Sequence, residues 1–190
     1  MAQQEYTTKD AVENYLVKDI DDAFDLQLEE WIRGMSLHID RACDRVIAKV
    51  PAGEVTHVET YKYDGDDTDT LFIKDCTDLS EVKVDGTVVS VIEYPANKTY
   101  TRKIKLADKV FTKGLQNVEV TGIQAMYKVV PEDIKFACTV LVAMIFQNQV
   151  NNERGTTERI GNYSITYSDA QKSDVQTAKA TIQAYKMIHV

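Results

Sequence analysis

The stretch Val130-Pro131-Glu132-Asp133-Ile134-Lys135-Phe136-Ala137 begins the segment that decides the fold. Proline suits the first turn of a helix, and the two acidic residues suit the positive end of the helix dipole. The residues that follow are apolar on nearly every side of a helix: Ile134, Ala137, Cys138, Val140, Leu141, Val142, Met144, Ile145 and Phe146. Because a helix that is apolar all round is buried all round, we expect it to be central or to face a neighbouring subunit.

Two helices are predicted upstream of this central helix. A capping-box-like start at Thr7–Asp10 leads into a short helix at Ala11–Leu16. A second helix is predicted from about Asp21 to Lys49, with Pro51–Gly53 ending it. It would be roughly 40 Å long at 1.5 Å per residue. Its apolar residues recur in steps of three and four: Phe24, Leu28, Trp31, Ile32, Met35, Ile39, Ala42, Val46, Ile47 and Val50.

Between Glu54 and Val130 the pattern changes to alternating residues of β type. Six runs are predicted as strands: Val55–Tyr63, Thr70–Ile73, Ser80–Val84, Thr87–Glu93, Thr101–Leu106 and Asn117–Thr121. Asp85-Gly86 has the chemistry of a two-residue hairpin turn between two of them. This part of the chain therefore predicts a small antiparallel β subdomain.

After the central helix we predict a polar loop at Asn151–Thr157, a short strand at Ile160–Tyr167, and a last helix capped by Ser168-Asp169. The predicted fold class is α+β. An α-helical bundle of short, long, central and C-terminal helices would occupy residues 1–53 and 129–190, and the β subdomain would be inserted as residues 54–128.

Charge and composition exclude several classes of function. The net charge of −8 argues against a protein that grips DNA, because gripping requires lysine and arginine to neutralise phosphates. The strongest apolar run, Val140–Phe146, is too short to cross a membrane. The first residues lack the pattern of a signal peptide, so we expect a protein that is cytoplasmic when made. The three cysteines are widely spaced, which predicts buried free thiols.

The order of elements and four stretches resemble the head–tail connector (adaptor) proteins of tailed bacteriophages, in particular the longer members with an inserted β subdomain. The stretches are Tyr6–Val12, Leu71–Leu79 followed by Val82–Gly86, Gly114–Gly122 followed by Val130–Ala137, and Glu158–Tyr167. One stretch departs from the family pattern. Ile123–Tyr127 stands where a smaller, glycine-containing aromatic turn is expected.

This resemblance implies a structural virion protein that binds the portal after DNA packaging. It implies a ring of about a dozen copies that forms part of the DNA channel, helps to close the exit and seats a downstream stopper or tail protein. It implies no catalysis, no cofactor and no membrane, with the protein in the host cytoplasm before assembly. A dozen copies at −8 would carry about −96, so DNA would pass as cargo without sticking.

Two other functions remain open from the sequence. The chain could be another connector-region part, such as a stopper or a tail-completion protein. It could also be a small binding module that uses the β insertion for a metal or a sugar. The sequence gives little support to the interpretation that the chain is an enzyme. His38, His57 and His189 lie in no recognisable catalytic pattern, and no glycine-rich phosphate loop occurs.

Three groups of residues are candidate interaction sites. In the family that the chain resembles, the C-terminal part reaches the portal, so the predicted docking residues are Ala178, Ile182, Tyr185, Met187, Ile188 and Val190. The segment Asn152–Arg159 is predicted to be either a subunit interface or a plain exposed loop, and its charged residues are Glu153, Arg154, Glu158 and Arg159. Arg102, Lys103 and Lys105 could contact DNA or an acidic partner, or could simply keep a strand soluble.

The segment Asp64–Asp69 holds four carboxylates in six residues. Hard cations such as Ca²⁺ prefer clusters of oxygen ligands. The ordered calcium-loop pattern with a distal glutamate is absent, however, so we predict a solvated acidic loop and no metal.

Overall fold

The computed structural model describes residues 5–48, 58–94, 100–151, 156–160, 162–167 and 171–187. The protein is α+β. Its elements in chain order are α1 (Lys9–Leu16), a 3-10 turn (Asp22–Phe24), α2 (Asp25–Cys43), β1 (Glu59–Gly65), β2 (Thr70–Cys76), β3 (Leu79–Val84), β4 (Thr87–Val88), β5 (Val91–Tyr94), β6 (Thr101–Leu106), β7 (Gly114–Gly122), α3 (Glu132–Asn151), β8 (Thr156–Ile160), β9 (Tyr163–Tyr167) and α4 (Lys172–Ala184). They form two compact units, Met1–Arg45 with Val130–Val190, and Val46–Val129.

Helix α3 forms the centre of the first unit. Every residue from Ala137 to Phe146 is buried. Helices α1, α2 and α4 and strand β9 all pack against it. The neighbouring helices add further core residues: Val12, Leu28, Trp31, Ile32, Met35, Ile39, Val175 and Ala178. The prediction of a central helix is confirmed. No helix in the described part of the chain is both long and apolar enough to span a bilayer.

Helix α1 is capped one residue later than predicted. The Thr8 side chain accepts a hydrogen bond from the backbone N–H of Ala11 at 3.2 Å. Thr7 is buried instead, with its hydroxyl 2.6 Å from the hydroxyl of Thr139 on α3. The first threonine therefore joins the chain to the core, and the second starts the helix.

Helix α2 is shorter than predicted, because it ends at Cys43 and not at Lys49. Asp44 has a φ of 53°, in the left-handed region, and its N–H donates to the carbonyl of Arg41 at 3.2 Å. The 19 residues of the helix span about 28 Å. The predicted length of roughly 40 Å was therefore wrong.

The apolar residues Val46 and Ile47, whose spacing led to the prediction of a longer helix, are not helical in the structure. The carbonyls of Val46 and Ile47 accept hydrogen bonds from the N–H groups of Met126 and Tyr127 at 3.0 and 2.8 Å. Val46 and Ile47 therefore lie beside Met126 and Tyr127, near the C-terminal end of the second unit. The predicted stop at Pro51–Gly53 lies outside the described residues.

The second unit consists of two antiparallel sheets. One has the strand order β1-β7-β3-β4 and the other β2-β6-β5. Their shared core is apolar: Leu71, Ile73, Cys76, Val82, Val84, Ile104, Leu106, Phe111, Val118 and Val120. The prediction of antiparallel pairing is confirmed for these strands.

The Asp85-Gly86 hairpin is confirmed. Val84 pairs with Thr87, and both turn residues have positive φ, 49° for Asp85 and 76° for Gly86, as this tight turn requires. The predicted strand Thr87–Glu93 is divided, however. Its first residues form β4 beside β3, and its last residues form β5 beside β6 in the other sheet.

The first unit contains a β-hairpin that was predicted only in part. Helix α3 continues to Asn151 and β8 begins at Thr156, so the predicted loop Asn151–Thr157 was too long at both ends. The predicted strand Ile160–Tyr167 is mainly β9, which pairs with β8. Helix α4 begins at Lys172, and the predicted cap Ser168-Asp169 lies outside the described residues.

Candidate interaction surfaces

The C-terminal helix is held in the core of the first unit. Ala178 on α4 is fully buried, as is Val175 one turn earlier. Ile182 is half-buried, and its carbonyl accepts a hydrogen bond from the Cys43 thiol at 3.4 Å. Among the predicted docking residues, Ala178 is therefore buried in the first unit and cannot contact a partner in this conformation.

The residues after α4 are tied to the same unit. The Tyr185 hydroxyl donates to the carboxylate of Asp133, with both oxygens at 3.0 Å. The N–H of Met187 donates to the carbonyl of Cys43 at 2.8 Å. These bonds fix the path of the chain as far as Met187. Ile188 and Val190 lie outside the described residues.

The second predicted interface lies partly in a strand. Glu158 pairs with Ile165 and Arg159 with Ser164 in the β8–β9 hairpin. The expectation that Asn152–Arg159 forms one loop was therefore wrong, because its second half has hydrogen-bonding partners in β9. Arg159 is exposed. Glu153 and Arg154 lie outside the described residues.

The three basic residues of β6 each have a partner within the second unit. Arg102 Nε lies 3.2 Å from Oδ1 of Asp75, whose side chain is only 4% exposed. Lys105 Nζ lies 2.8 Å from Oδ2 of Asp69, and Lys103 Nζ lies 5.6 Å from the centre of the Phe72 ring. Because side chains alternate along a strand, Lys103 and Lys105 share one face and Arg102 is on the other.

The acidic segment Asp64–Asp69 binds the neighbouring backbone. Asp64 Oδ1 accepts a hydrogen bond from the N–H of Gln116 at 2.6 Å, and Asp67 Oδ1 accepts one from the N–H of Lys113 at 2.7 Å. Hydrogen bonds from Thr68 hold the pKa of Asp66 below its usual value. Within the described ranges, no group of three or more His, Cys, Asp or Glu side chains is placed to hold a metal ion.

The three cysteines and His38 are all affected by burial in the described part of the chain. Burial raises the pKa of Cys43 to about 11 and that of Cys138 to about 12, so both are protonated at neutral pH and poor nucleophiles. Cys76 is also buried. Burial lowers the pKa of His38. His57 and His189 lie outside the described residues.

One surface of the second unit was not predicted. Phe72 is 74% exposed and Ile92 is 47% exposed, although both lie in strands. They share the outer face of the β2-β6-β5 sheet with two lysines, and this lysine sheet face consists of Phe72, Ile92, Lys103 and Lys105. The available signal was the unbroken apolar run Leu71–Ile73, since alternation must turn one of three consecutive residues outward.

A second unpredicted surface lies on the first unit. Leu26 is 80% exposed at the start of α2. Asp22 lies four residues before it, and Glu29 and Glu30 lie three and four residues after it, so all four share the outer side of the chain at this point. We name them the acidic helix face. The available signal was that Leu26 falls outside the apolar spacing of Phe24 and Leu28.

Comparisons with known proteins gave matches in structure alone. No family model matches the sequence, and no curated protein matches it. A chain from the neck of a native gene transfer agent (GTA) particle computed with C12 symmetry matches with a TM-score of 0.55 at 12% identity. A chain from the neck of an empty GTA particle computed with C6 symmetry matches with 0.56 at 13% identity, and one from the virion of a native GTA particle with 0.55 at 15%.

Each match covers 100% of this chain and 97% of the other chain. The alignment therefore extends over the whole chain and does not rest on one common motif. At this level of identity the likeness establishes the fold. The chain thus has the fold of these chains from GTA particles, as its resemblance to the head–tail connector group led us to expect.

Proposed function

We propose that this chain is a structural neck protein of a phage-like particle, and within the neck a head–tail adaptor. It forms a ring on the portal, lines part of the DNA channel and links the head to the tail. The observation that supports this proposal is the fold shared with chains from the neck and virion of GTA particles, over 100% of this chain and 97% of each of those chains.

The proposed domain organisation follows from this role. We propose that a helical connector domain, residues 1–53 and 129–190, contacts the portal, and that residues 54–128 are a β subdomain inserted into it. The two compact units, with boundaries after Arg45 and after Val129, support this division. The first unit also contains the β8–β9 hairpin, so the connector domain is mostly and not wholly helical.

The proposed partners are the portal protein, further copies of the chain, and a downstream stopper or tail protein. A ring of twelve is favoured by the C12 symmetry of one structure with this fold. Such a ring would carry about −96 from twelve copies at −8, so it would repel DNA and let it pass. The proposed location is the virion neck, with the host cytoplasm before assembly.

The role we propose is mechanical and not catalytic. The buried Cys43 and Cys138 keep their protons at neutral pH, so neither is an activated nucleophile. The carboxylates of Asp64 and Asp67 are bound by backbone N–H groups and serve the fold. These groups are used for stability.

We further propose that the chain docks on the portal through its last residues, Tyr185–Val190, which Ala178 and Ile182 position by anchoring α4. A truncation after Met187 tests this, because it keeps the bonds of Tyr185 to Asp133 and of Met187 to Cys43. We expect loss of portal binding with an unchanged melting temperature. Normal binding by the truncated chain would show that the residues after Met187 are not needed for docking.

The neck role itself can be tested in particles assembled without the chain. We expect heads that package DNA but carry no tails and release their DNA, because nothing closes the exit and the attachment site for the tail is missing. Complete, tailed particles would contradict a neck function. A stopper or tail-completion protein would give a similar defect but would not bind the portal directly, so binding to purified portal separates these roles.

A further inference from the structure

We propose that the lysine sheet face of one copy binds the acidic helix face of the next copy, and that this head-to-tail contact builds the ring. The inference rests on the proposed function for the existence of a ring. It adds the two surfaces that meet and the residues at the centre of each.

The lysine sheet face has the composition of half an interface. Phe72, at 74% exposure, and Ile92, at 47%, are large apolar side chains left in water. Lysines surround them: Lys103 lies over the Phe72 ring at 5.6 Å, and Lys105 pairs with Ile92 across the strands. An apolar centre with a charged rim is the usual arrangement where proteins bind each other.

The acidic helix face has the same arrangement with the opposite charge. Leu26 is 80% exposed, and the side chain of Asp22 is 93% exposed. Lys9 Nζ lies 2.9 Å from Asp22 and 2.6 Å from Asp25, which ties α1 to the start of α2. The acidic residues around Leu26 are therefore presented on a braced part of the first unit.

Most of the net charge of the chain lies in the sequence segment that contains this face. The segment Lys9–Glu30 contains eight acidic residues and two lysines, a net charge of −6 out of −8 for the whole chain. The remaining 168 of 190 residues carry the other −2. A basic surface is the matching partner, and the lysine sheet face supplies one on the same polypeptide.

The signs of the charges decide how two copies meet. Two lysine sheet faces would repel each other, and so would two acidic helix faces. A symmetric dimer through either face is therefore disfavoured, while unlike faces attract. Contacts between unlike faces of identical copies continue from copy to copy and close into a ring when the rotation allows it. DNA would satisfy the lysines but would leave Phe72 and Ile92 without apolar partners.

Cross-linking through single added cysteines tests the contact even when it is weak. Ile92→Cys marks the sheet face, and Gln27→Cys marks the helix face because Gln27 is exposed next to Leu26. The more exposed apolar residues of the two faces, Phe72 and Leu26, stay in place. The native cysteines are buried. We expect a short bismaleimide to join the two variants in a mixture at least 10-fold more than either variant to itself. Adding Phe72→Ser or Leu26→Ser should abolish the product.

The matched control replaces Ile92→Cys by Leu115→Cys, because Leu115 is 87% exposed elsewhere in the same unit. Cross-linking of Leu115→Cys to Gln27→Cys should stay at background. Equal yields from Ile92→Cys and Leu115→Cys, or self-linking of Ile92→Cys, would overturn the inference. Phe72→Ser chains that still form rings on the portal would refute this interface alone, whereas wild-type chains that do not bind the portal would refute the neck function.

Discussion

Asn117 is the residue on which one end of the second unit depends. Its Oδ1 accepts a hydrogen bond from the N–H of Gly65 at 2.9 Å. Its Nδ2 donates to the carbonyl of Thr112 at 2.8 Å and to Asp85 Oδ1 at 3.2 Å. One amide therefore joins the end of β1, the loop before β7 and the β3–β4 turn. Among side chains, only the amides of asparagine and glutamine supply both an acceptor and two donor hydrogens, and that of glutamine stands one methylene farther from the backbone.

We predict that Asn117→Ala lowers the free energy of unfolding by about 0.5–1.5 kcal/mol, because it removes hydrogen bonds to the backbone of Gly65 and Thr112 that are partly open to water. Urea unfolding followed by far-UV circular dichroism measures the change. Leu115→Ala is the control, since Leu115 is 87% exposed two residues away. An Asn117→Ala chain as stable as this control would show that the bonds are replaced by water at no cost.

The buried thiol of Cys138 links stability to pH. Its pKa is raised by burial from 9.0 to about 12, so the folded chain keeps a proton that the unfolded chain releases above pH 9. This contribution to stability is complete below pH 9 and is lost as the pH rises. From about pH 8 to about pH 10.5 the free energy of unfolding should fall in both proteins. We predict that the fall is about 1–2 kcal/mol smaller in Cys138→Ala than in the wild type.

Urea unfolding at the two pH values measures this difference. The comparison is between the changes with pH, because the substitution also alters packing at every pH. Equal losses in the two proteins would contradict a protonated, buried thiol at this position.

At the scale of elements, helix α1 ends in a strained residue. Val17 has a φ of 52° at the C-cap and is 90% exposed. The left-handed region costs a residue with a Cβ about 1–2 kcal/mol, and a branched side chain fits it least well. Its exposure means that no packing of the side chain offsets this cost.

We therefore predict that the Val17→Gly variant has a free energy of unfolding about 0.5–1 kcal/mol higher than the Val17→Ala variant, although glycine in a helix ordinarily destabilises a protein relative to alanine. Fluorescence of Trp31 during urea unfolding reports on this unit, because Trp31 is buried in it. A glycine variant less stable than the alanine variant would mean that the cap is not strained.

Elements that depend on local chemistry were predictable from the sequence. Asp85-Gly86 specified its hairpin because both residues tolerate positive φ, and the residues from Ala137 to Phe146 specified a buried helix because apolar side chains surround it. The end of α2 was not predictable from periodicity. Val46 and Ile47 continue the helical spacing, but a left-handed Asp44 redirects them to Met126 and Tyr127, far along the chain.

The interaction surfaces were less predictable than the elements, for a physical reason. Whether Phe72 is exposed depends on which sheet covers which face, and pairing of β2 with β6 joins residues about thirty positions apart. Likewise, the sequence could not tell that Ala178 packs inside its own unit. Residue types indicated the kind of chemistry, whereas burial decided which residues remain available.

At the scale of the whole molecule, the proposed ring requires copies that attract one another and do not hold DNA. The unlike charges on the two units and the net charge of −8 agree with both requirements. Contacts between exposed charges are screened at physiological salt, where the Debye length is about 8 Å. We predict that the Ile92→Cys to Gln27→Cys cross-link falls severalfold between about 0.05 and about 0.5 M NaCl. A yield that does not change with salt would contradict an electrostatic contribution to the contact.

The most direct measurement of the central claim is the mass of the complex that the chain forms with its cognate portal protein, by size-exclusion chromatography with light scattering. We predict one stable complex in which each portal ring carries about a dozen copies, visible as an added ring by negative-stain microscopy. A chain that elutes separately from the portal at every mixing ratio, as a monomer, would contradict the adaptor function.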